Sequence, residues 1–199
     1  MPCSADSKPD ALILAGGRGN RMHNADKGLL EVNGKKLIEY VIDSIQEDVD
    51  AIVISANHNL AAYRRYSSTV IADDPAFALQ GPLAGIASGL PHCHSDTVLV
   101  TSCDIPVLPA GLTARLQQNL GQHDICICEL AGQWQPVLLC RQTCLASVRR
   151  ALQQQQYSLL EWVRQQQHTT LRCTGNGAEF LNLNRPQQLQ QFADSLKLA

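Results

Sequence analysis

Three uninterrupted apolar runs, at residues 11–15, 51–55 and 97–101, constrain this chain most. A strand with one face in water alternates apolar and polar residues, whereas a strand covered on both faces does not. The stretches between the runs carry helical periodicity. Leu37, Ile38, Val41, Ile42 and Ile45 fall on one face and predict a helix over 36–47. Further helices are expected over 60–66, from Gly81-Pro82 to Leu90-Pro91, and over 109–120, with a short strand at Val70-Ile71. This alternation predicts an α/β fold, a Rossmann-like three-layer sandwich around a mostly parallel sheet.

Past residue 121 the pattern changes. Runs at 125–130 and 136–140 flank Ala131-Gly132-Gln133-Trp134-Gln135, which reads as an antiparallel hairpin added to the sheet in the C-terminal half. Leu145, Val148 and Leu152 form a helical stripe, residues 157–166 a short helix, and Leu189, Phe192 and Leu196 a final helix after Pro186. The glutamine clusters at 153–156 and 165–167 read as solvated helix surface. No internal repeat or linker interrupts the chain. A single domain over 1–199 is therefore expected, with a nucleotide-binding half at about 11–120 and a second-substrate half at about 121–199.

The chain has 199 residues and a formal net charge of −2, so no global basic field draws it to nucleic acid or an anionic membrane. Its polar first ten residues lack the apolar core of a secretory signal, and no apolar run has the length of a bilayer span. A cytoplasmic location is expected. The eight cysteines are irregularly spaced, several inside apolar runs, and read as reduced thiols. Neither His92-Cys93-His94 nor Cys126-x-Cys128 matches a paired C-x₂-C metal site.

The first apolar run leads straight into Gly16-Gly17-Arg18-Gly19, with Arg21 and Lys27 close behind. Glycines let backbone N–H groups approach a phosphate, and the cations offset its charge. The arrangement suits a nucleoside triphosphate. It lacks the Walker spacing G-x-x-x-x-G-K-[ST] and does not fit the dinucleotide pattern G-x-G-x-x-G.

Open parallel sheets bind ligands at the carboxyl ends of their strands. Four segments fall there: the glycine turn, Asp73-Asp74, Gly81-Pro82-Leu83-Ala84-Gly85, and Cys103-Asp104-Ile105-Pro106. Asp104 suits Mg²⁺, which takes one or two protein carboxylates and completes its shell with phosphate and water; the competing reading is a strand-end or capping aspartate. Lys27 suits charge stabilisation at an attacked α-phosphate or a departing pyrophosphate. The planar fork of Arg21 suits the β- and γ-phosphates. Asp74 suits hydrogen bonds to a base or ribose, with Asp73 and a simple turn before Pro75 as alternatives. Asn182 and Asn184 suit the metal or a second substrate, or else cap the last helix. Ser102 and Cys103 have no histidine with an evident reason to approach them, and a G-x-S-x-G elbow is absent.

Leu14-Ala15-Gly16-Gly17, Arg21-Met22, Asp26-Lys27-Gly28-Leu29-Leu30, Asn33-Gly34-Lys35, Gly81 to Gly85, Cys103-Asp104-Ile105-Pro106 and Asn182-Leu183-Asn184 form an ordered set spanning nearly the whole chain. This set resembles the nucleotidyltransferases, and more narrowly the molybdenum cofactor guanylyltransferase (MobA) family. The resemblance implies a GTP- and Mg²⁺-dependent transfer of GMP to the phosphate of molybdenum-bound molybdopterin, with release of pyrophosphate. It assigns Leu14, Ala15, Gly16, Gly17 and Lys27 to GTP, Asp74 to the nucleotide and Asp104 to magnesium. Gly81, Pro82, Asn182 and Asn184 then face the molybdopterin. A molybdenum-insertion protein and apo-molybdoenzymes or their chaperones are the implied protein partners.

Two places depart from the family pattern. His23-Asn24 replaces a glycine pair, and Ser55-Ala56-Asn57 replaces Asn-Ala-Asn. The second puts in doubt any nucleotide contact carried over to Ser55. Rival readings are a cytidylyltransferase acting on molybdopterin or another small substrate, and a non-catalytic GTP-binding cofactor-delivery protein. Gly16-Gly17 favours the guanine enzyme over the cytidine one.

Overall fold

The structure, a computed structural model, describes residues 7–16, 26–174 and 179–196. The chain opens with β1 (Asp10–Leu14), a short 3₁₀ turn Lys27–Leu29, and a hairpin of β2 (Glu31–Val32) and β3 (Lys35–Lys36). Then come α1 (Leu37–Ile45), β4 (Ile52–Ser55), α2 (Leu60–Tyr63), β5 (Thr69–Ile71), α3 (Pro82–Gly89), β6 (Thr97–Ser102) and α4 (Leu112–Leu120). The second half holds β7 (Ile125–Leu130), β8 (Gln133–Arg141), α5 (Leu145–Gln153), α6 (Leu159–Arg164), β9 (His168–Cys173) and α7 (Pro186–Ser195).

Seven strands form one sheet in the order β5-β4-β1-β6-β8-β7-β9. β5, β4, β1 and β6 run parallel, β8 runs antiparallel to both β6 and β7, and β9 returns parallel to β7. The apolar runs explain the layering. Ala11 and Ile13 enter a core with Ile54 and Leu99, capped by α1 and α4 through Val41, Ile45, Leu112 and Leu116. Leu12, Val53, Val98 and Val100 point the other way, into a core capped by α3, α5 and α6 through Leu83, Ile86, Val148 and Trp162. Successive residues of one strand thus feed opposite cores, so the middle of each run is apolar on both faces and the polar residues Ser55, Thr97 and Thr101 fall at run ends. The expected mostly parallel sheet, with its antiparallel addition, is the fold observed.

Several boundaries differ from the expectation. The β7–β8 connection is a tight turn of two residues, Ala131 and Gly132, both at positive φ (50° and 78°), and β8 therefore begins at Gln133, earlier than expected. α2 ends at Tyr63, α4 begins only at Leu112, and α6 covers Leu159–Arg164. β9 was not foreseen. His168, Thr169 and Thr170 lack an apolar run because this edge strand is only half-buried. The glutamine clusters lie at or near the surface, as expected, but apart from Gln153 they occupy the turns that follow α5 and α6 rather than a helix face.

The chain leaves β1 towards β4 and β5 on one side and later returns to place β6 on the other. That reversal opens a crevice between β1 and β6 at their carboxyl ends. α7 closes over the β2–β3 hairpin through a small third core of Val32, Leu37, Leu183 and Phe192, with Tyr40 and Phe192 edge-to-face at 5.2 Å.

Candidate active site

A cavity of about 410 Å³ fills this crevice. Its floor is Leu14, Ala15 and Gly16, which leave β1 beside the ends of β4 and β6. Gly16 is required by a close approach: a Cβ there would lie 2.8 Å from the Asn57 side-chain nitrogen. Gly17 and Arg21, both singled out from sequence, lie outside the described residues, as does Cys3.

One wall is ionic. The Lys27 ammonium leans across the crevice to Asp104 Oδ2 at 3.2 Å and also donates to Asn184 Oδ1. The other Asp104 oxygen accepts the hydroxyl of Ser102. The backbone holds this wall in register: Leu183 N donates to Asp104 O at 2.8 Å, which carries the asparagine segment to the end of β6. Lys27 and Asp104 are each 17% exposed, so the pair faces the cavity without being sealed from water. Three of the expected residues, distant in sequence, thus meet.

Asn182 also lines the cavity, and its Oδ1 is buried with no hydrogen-bond partner. A buried acceptor left unpaired is costly, so it marks a place where a donor or cation is wanted. Among the described residues no cluster of three or more His, Cys, Asp or Glu exists that would hold a transition metal. One carboxylate with neighbouring amide oxygens is instead the hard-oxygen set that Mg²⁺ accepts when phosphates complete its shell.

The opposite wall separates the two adjacent aspartates, both left open on sequence. The residue lining the cavity is Asp73 rather than Asp74. Asn57 Nδ2 donates to Asp73 Oδ2 at 2.8 Å, Leu79 N donates to the same oxygen at 3.1 Å, and Asn57 Oδ1 accepts from Asp73 N at 2.9 Å. The Asp74 carboxylate accepts from Ala76 N at 2.9 Å, closing an Asx turn, and the residue is exposed. Adjacent residues of an extended segment point to opposite sides, which is why one of the pair turns in and the other out. Ser55, doubted on sequence, lines the cavity and lies 3.5 Å from Asp73 Oδ1.

The third side is the start of α3. Gly81 adopts φ 79°, a conformation open to glycine, and Pro82 follows at the first helical position. Pro136 from β8 and Leu159 from α6 complete the lining. Both lie in the second half of the chain, and no motif announced them. Asn57 and Ser102 were also missed as partners. Their signal was positional, since each sits within two residues of the carboxyl end of a parallel strand.

Of the Ser102–Cys103 pair considered on sequence, burial bears on the thiol. Cys103 lines the cavity, yet burial, reinforced by the Asp104 charge, pushes its thiol well above the ordinary range. It is therefore no thiolate nucleophile at neutral pH. The seven described cysteines are all free and buried. Among the described residues no helix is long and apolar enough to cross a membrane.

Comparison with known proteins shows the family and the fold. The family model of a MobA-like NTP transferase domain matches residues 11–170. A protein of Shewanella frigidimarina named molybdenum cofactor guanylyltransferase is 37% identical over 190 residues, covering 94% of this chain and 96% of its own. One of the same name from Shewanella sp. strain MR-4 is 35% identical over 187 residues, covering 92% and 94%. Among solved structures, molybdopterin-guanine dinucleotide biosynthesis protein A of Archaeoglobus fulgidus superposes with a TM-score of 0.79 over 96% of this chain and all of its own, at 20% identity. At that identity the likeness is one of fold.

Proposed function

Because the chain belongs to the family of MobA-like NTP transferase domains, we propose that its cavity transfers GMP from GTP to the phosphate of molybdenum-bound molybdopterin, forming the guanine dinucleotide cofactor. The observation that carries this reading is the meeting of Lys27, Asp104 and Asn184 at one cavity wall. They come from three separate segments of a chain whose relatives of that name match it nearly end to end.

The reaction follows from charge. An oxygen of the substrate phosphate attacks the α-phosphorus of GTP, a new P–O bond forms, and the bond to the β-phosphate oxygen breaks to release pyrophosphate. A phosphate is already anionic near neutral pH, so the attack needs no general base. Positioning and charge stabilisation do the work. The Lys27 ammonium supports the charge that builds on the α-phosphate and the leaving group. Asp104, with amide oxygens of Asn182 or Asn184, would hold Mg²⁺, which when bound would supply charge neutralisation on the triphosphate. The Asp73–Asn57 pair, with Ser55, presents fixed polar groups on the opposite wall for the nucleoside. By the family resemblance, Arg21 would serve the β- and γ-phosphates, and the Gly81 to Gly85 segment would face the molybdopterin, as would whichever of Asn182 and Asn184 the metal leaves free.

The test is identification of the product by mass spectrometry after incubation with Mg²⁺, loaded molybdopterin and either GTP or CTP. The guanine dinucleotide from GTP, with little or no product from CTP, supports the reading. A cytosine product would make the chain a cytidylyltransferase, and tight GTP binding with no product would make it a delivery protein.

A further inference from the structure

The turn that carries Lys27 is fastened from behind. Asp26 precedes the turn, and its carbonyl accepts from Leu29 N at 3.1 Å. Its carboxylate plays no part in capping that turn. It reaches instead to the α2 region, where Oδ1 accepts the Tyr63 hydroxyl and Oδ2 accepts from Asn59 Nδ2 at 3.1 Å. Tyr63 is fully buried. The backbone of the turn rests directly on its ring edge: a Cβ built on Gly28 would stand 2.4 Å from the Tyr63 hydroxyl oxygen and 3.2 Å from Cε1. Tyr63 shares its core with Ala15 and Cys103, the residues that lead into the cavity floor and into Asp104. Yet Tyr63 is not among the residues that line the cavity.

We propose that Tyr63 is a positioning residue for Lys27. Its hydroxyl, through Asp26, sets the Lys27–Leu29 turn so that the ammonium reaches the Asp104 and Asn184 wall. This rests on the role of Lys27 proposed above. The adjacent residues divide the labour: Asp26 turns back to the scaffold, and Lys27 turns forward to the reaction. Gly28, which follows them, is the residue type that lets the turn lie flat on the phenol. Burial, reinforced by the Asp26 charge and its hydrogen bond, holds the phenol far above its ordinary ionisation range. The hydroxyl therefore remains a donor wherever the protein is folded.

Tyr63→Phe keeps the ring and removes only the donor. The expected result is a fall in kcat of about 10- to 100-fold, the scale of a misplacement near 1 Å, with the KM for GTP changed less than about 3-fold. In a Lys27→Ala background the same change adds no further loss, because the hydroxyl acts through Lys27. Asp26→Ala, made on the outer side of the contact, reproduces the loss without disturbing the core and decides the matter if Tyr63→Phe fails to fold. Asp26→Asn, which keeps an acceptor oxygen, loses less. An unchanged kcat in folded Tyr63→Phe, or an equal loss in the Lys27→Ala background, overturns the proposal.

Hydrogen exchange provides a readout independent of activity. The amides of Leu29 and Leu30, bonded to the carbonyls of Asp26 and Lys27, exchange faster in both loss variants. If the unsubstituted protein makes no guanine dinucleotide, the proposed function fails, and exchange still decides the role of Tyr63: unchanged protection at both amides refutes it.

Discussion

The Lys27 ammonium and the Asp104 carboxylate stand 3.2 Å apart across the crevice although 77 residues separate them in the chain. Their proximity is a consequence of sheet order: β1 and β6 are neighbours, and the turns beyond their carboxyl ends share one cavity. In the free protein each charge compensates the other. A triphosphate with its magnesium would offer each a stronger partner, an anion to the lysine and a cation to the aspartate, so the pair is poised to open without leaving either charge bare.

Lys27→Ala is expected to lower kcat about 10²- to 10³-fold while weakening GTP affinity far less, because the ammonium meets its largest charge in the transition state. Steady-state kinetics beside calorimetric binding separates the two. A loss confined to affinity would make Lys27 a binding residue only.

Asp73 and Asp74 should part company. Asp73→Ala removes a carboxylate that organises Asn57 and the Leu79 amide at the cavity wall, and is expected to weaken GTP binding about 10- to 100-fold, the scale of charged hydrogen bonds. Asp74→Ala removes a surface Asx turn and is expected to leave GTP binding within about 2-fold, at a stability cost of about 1 kcal/mol or less. Titration calorimetry of both variants checks this. Equal effects would mean that the inward orientation of Asp73 is irrelevant.

Much of this was legible before the structure. Layering and strand direction followed from three apolar runs, because a strand buried on both faces does not alternate apolar and polar residues. The approach of Lys27 to Asp104 followed from strand ends and short motifs; that Asn184 joins them did not. What escaped was set by long-range packing. β9 is half-buried, and its His-Thr-Thr start carries no periodic signal. Sequence pattern could not say which of two adjacent aspartates turns inward, since that depends on where Asn57 sits. Nothing in the expected 60–66 helix singled out Tyr63, because its hydroxyl has meaning only once Asp26 is packed against it.

α3 packs on β1 through a glycine. A Cβ at Gly89 would stand 2.4 Å from Leu12 Cδ1, and Leu12 is fully buried. Gly89→Ala is expected to destabilise the fold by about 1–3 kcal/mol through overpacking, although alanine is the better helix former. The urea midpoint measures it, and an unchanged or higher midpoint contradicts this packing.

Burial, with the Asp10 charge adding to it, pushes the Cys93 thiol up to about 12 from an ordinary 9.0. The unfolded chain therefore gives up this proton at lower pH than the folded one. Stability is undiminished by this group below about pH 9 and declines as pH climbs from there towards 12. Cys93→Ala should flatten that part of the decline, read from denaturation midpoints between pH 8 and 10.5. An identical slope would show that Cys93 contributes nothing to it.

The most decisive measurement is pyrophosphate release from GTP, with magnesium and loaded molybdopterin, by the unsubstituted chain and by Asp104→Ala shown by circular dichroism to be folded. Release by the first, abolished by chelating the magnesium, and none above background by the second is the predicted result. Release by Asp104→Ala at the unsubstituted rate would contradict the placement of the metal and triphosphate between Lys27 and the end of β6.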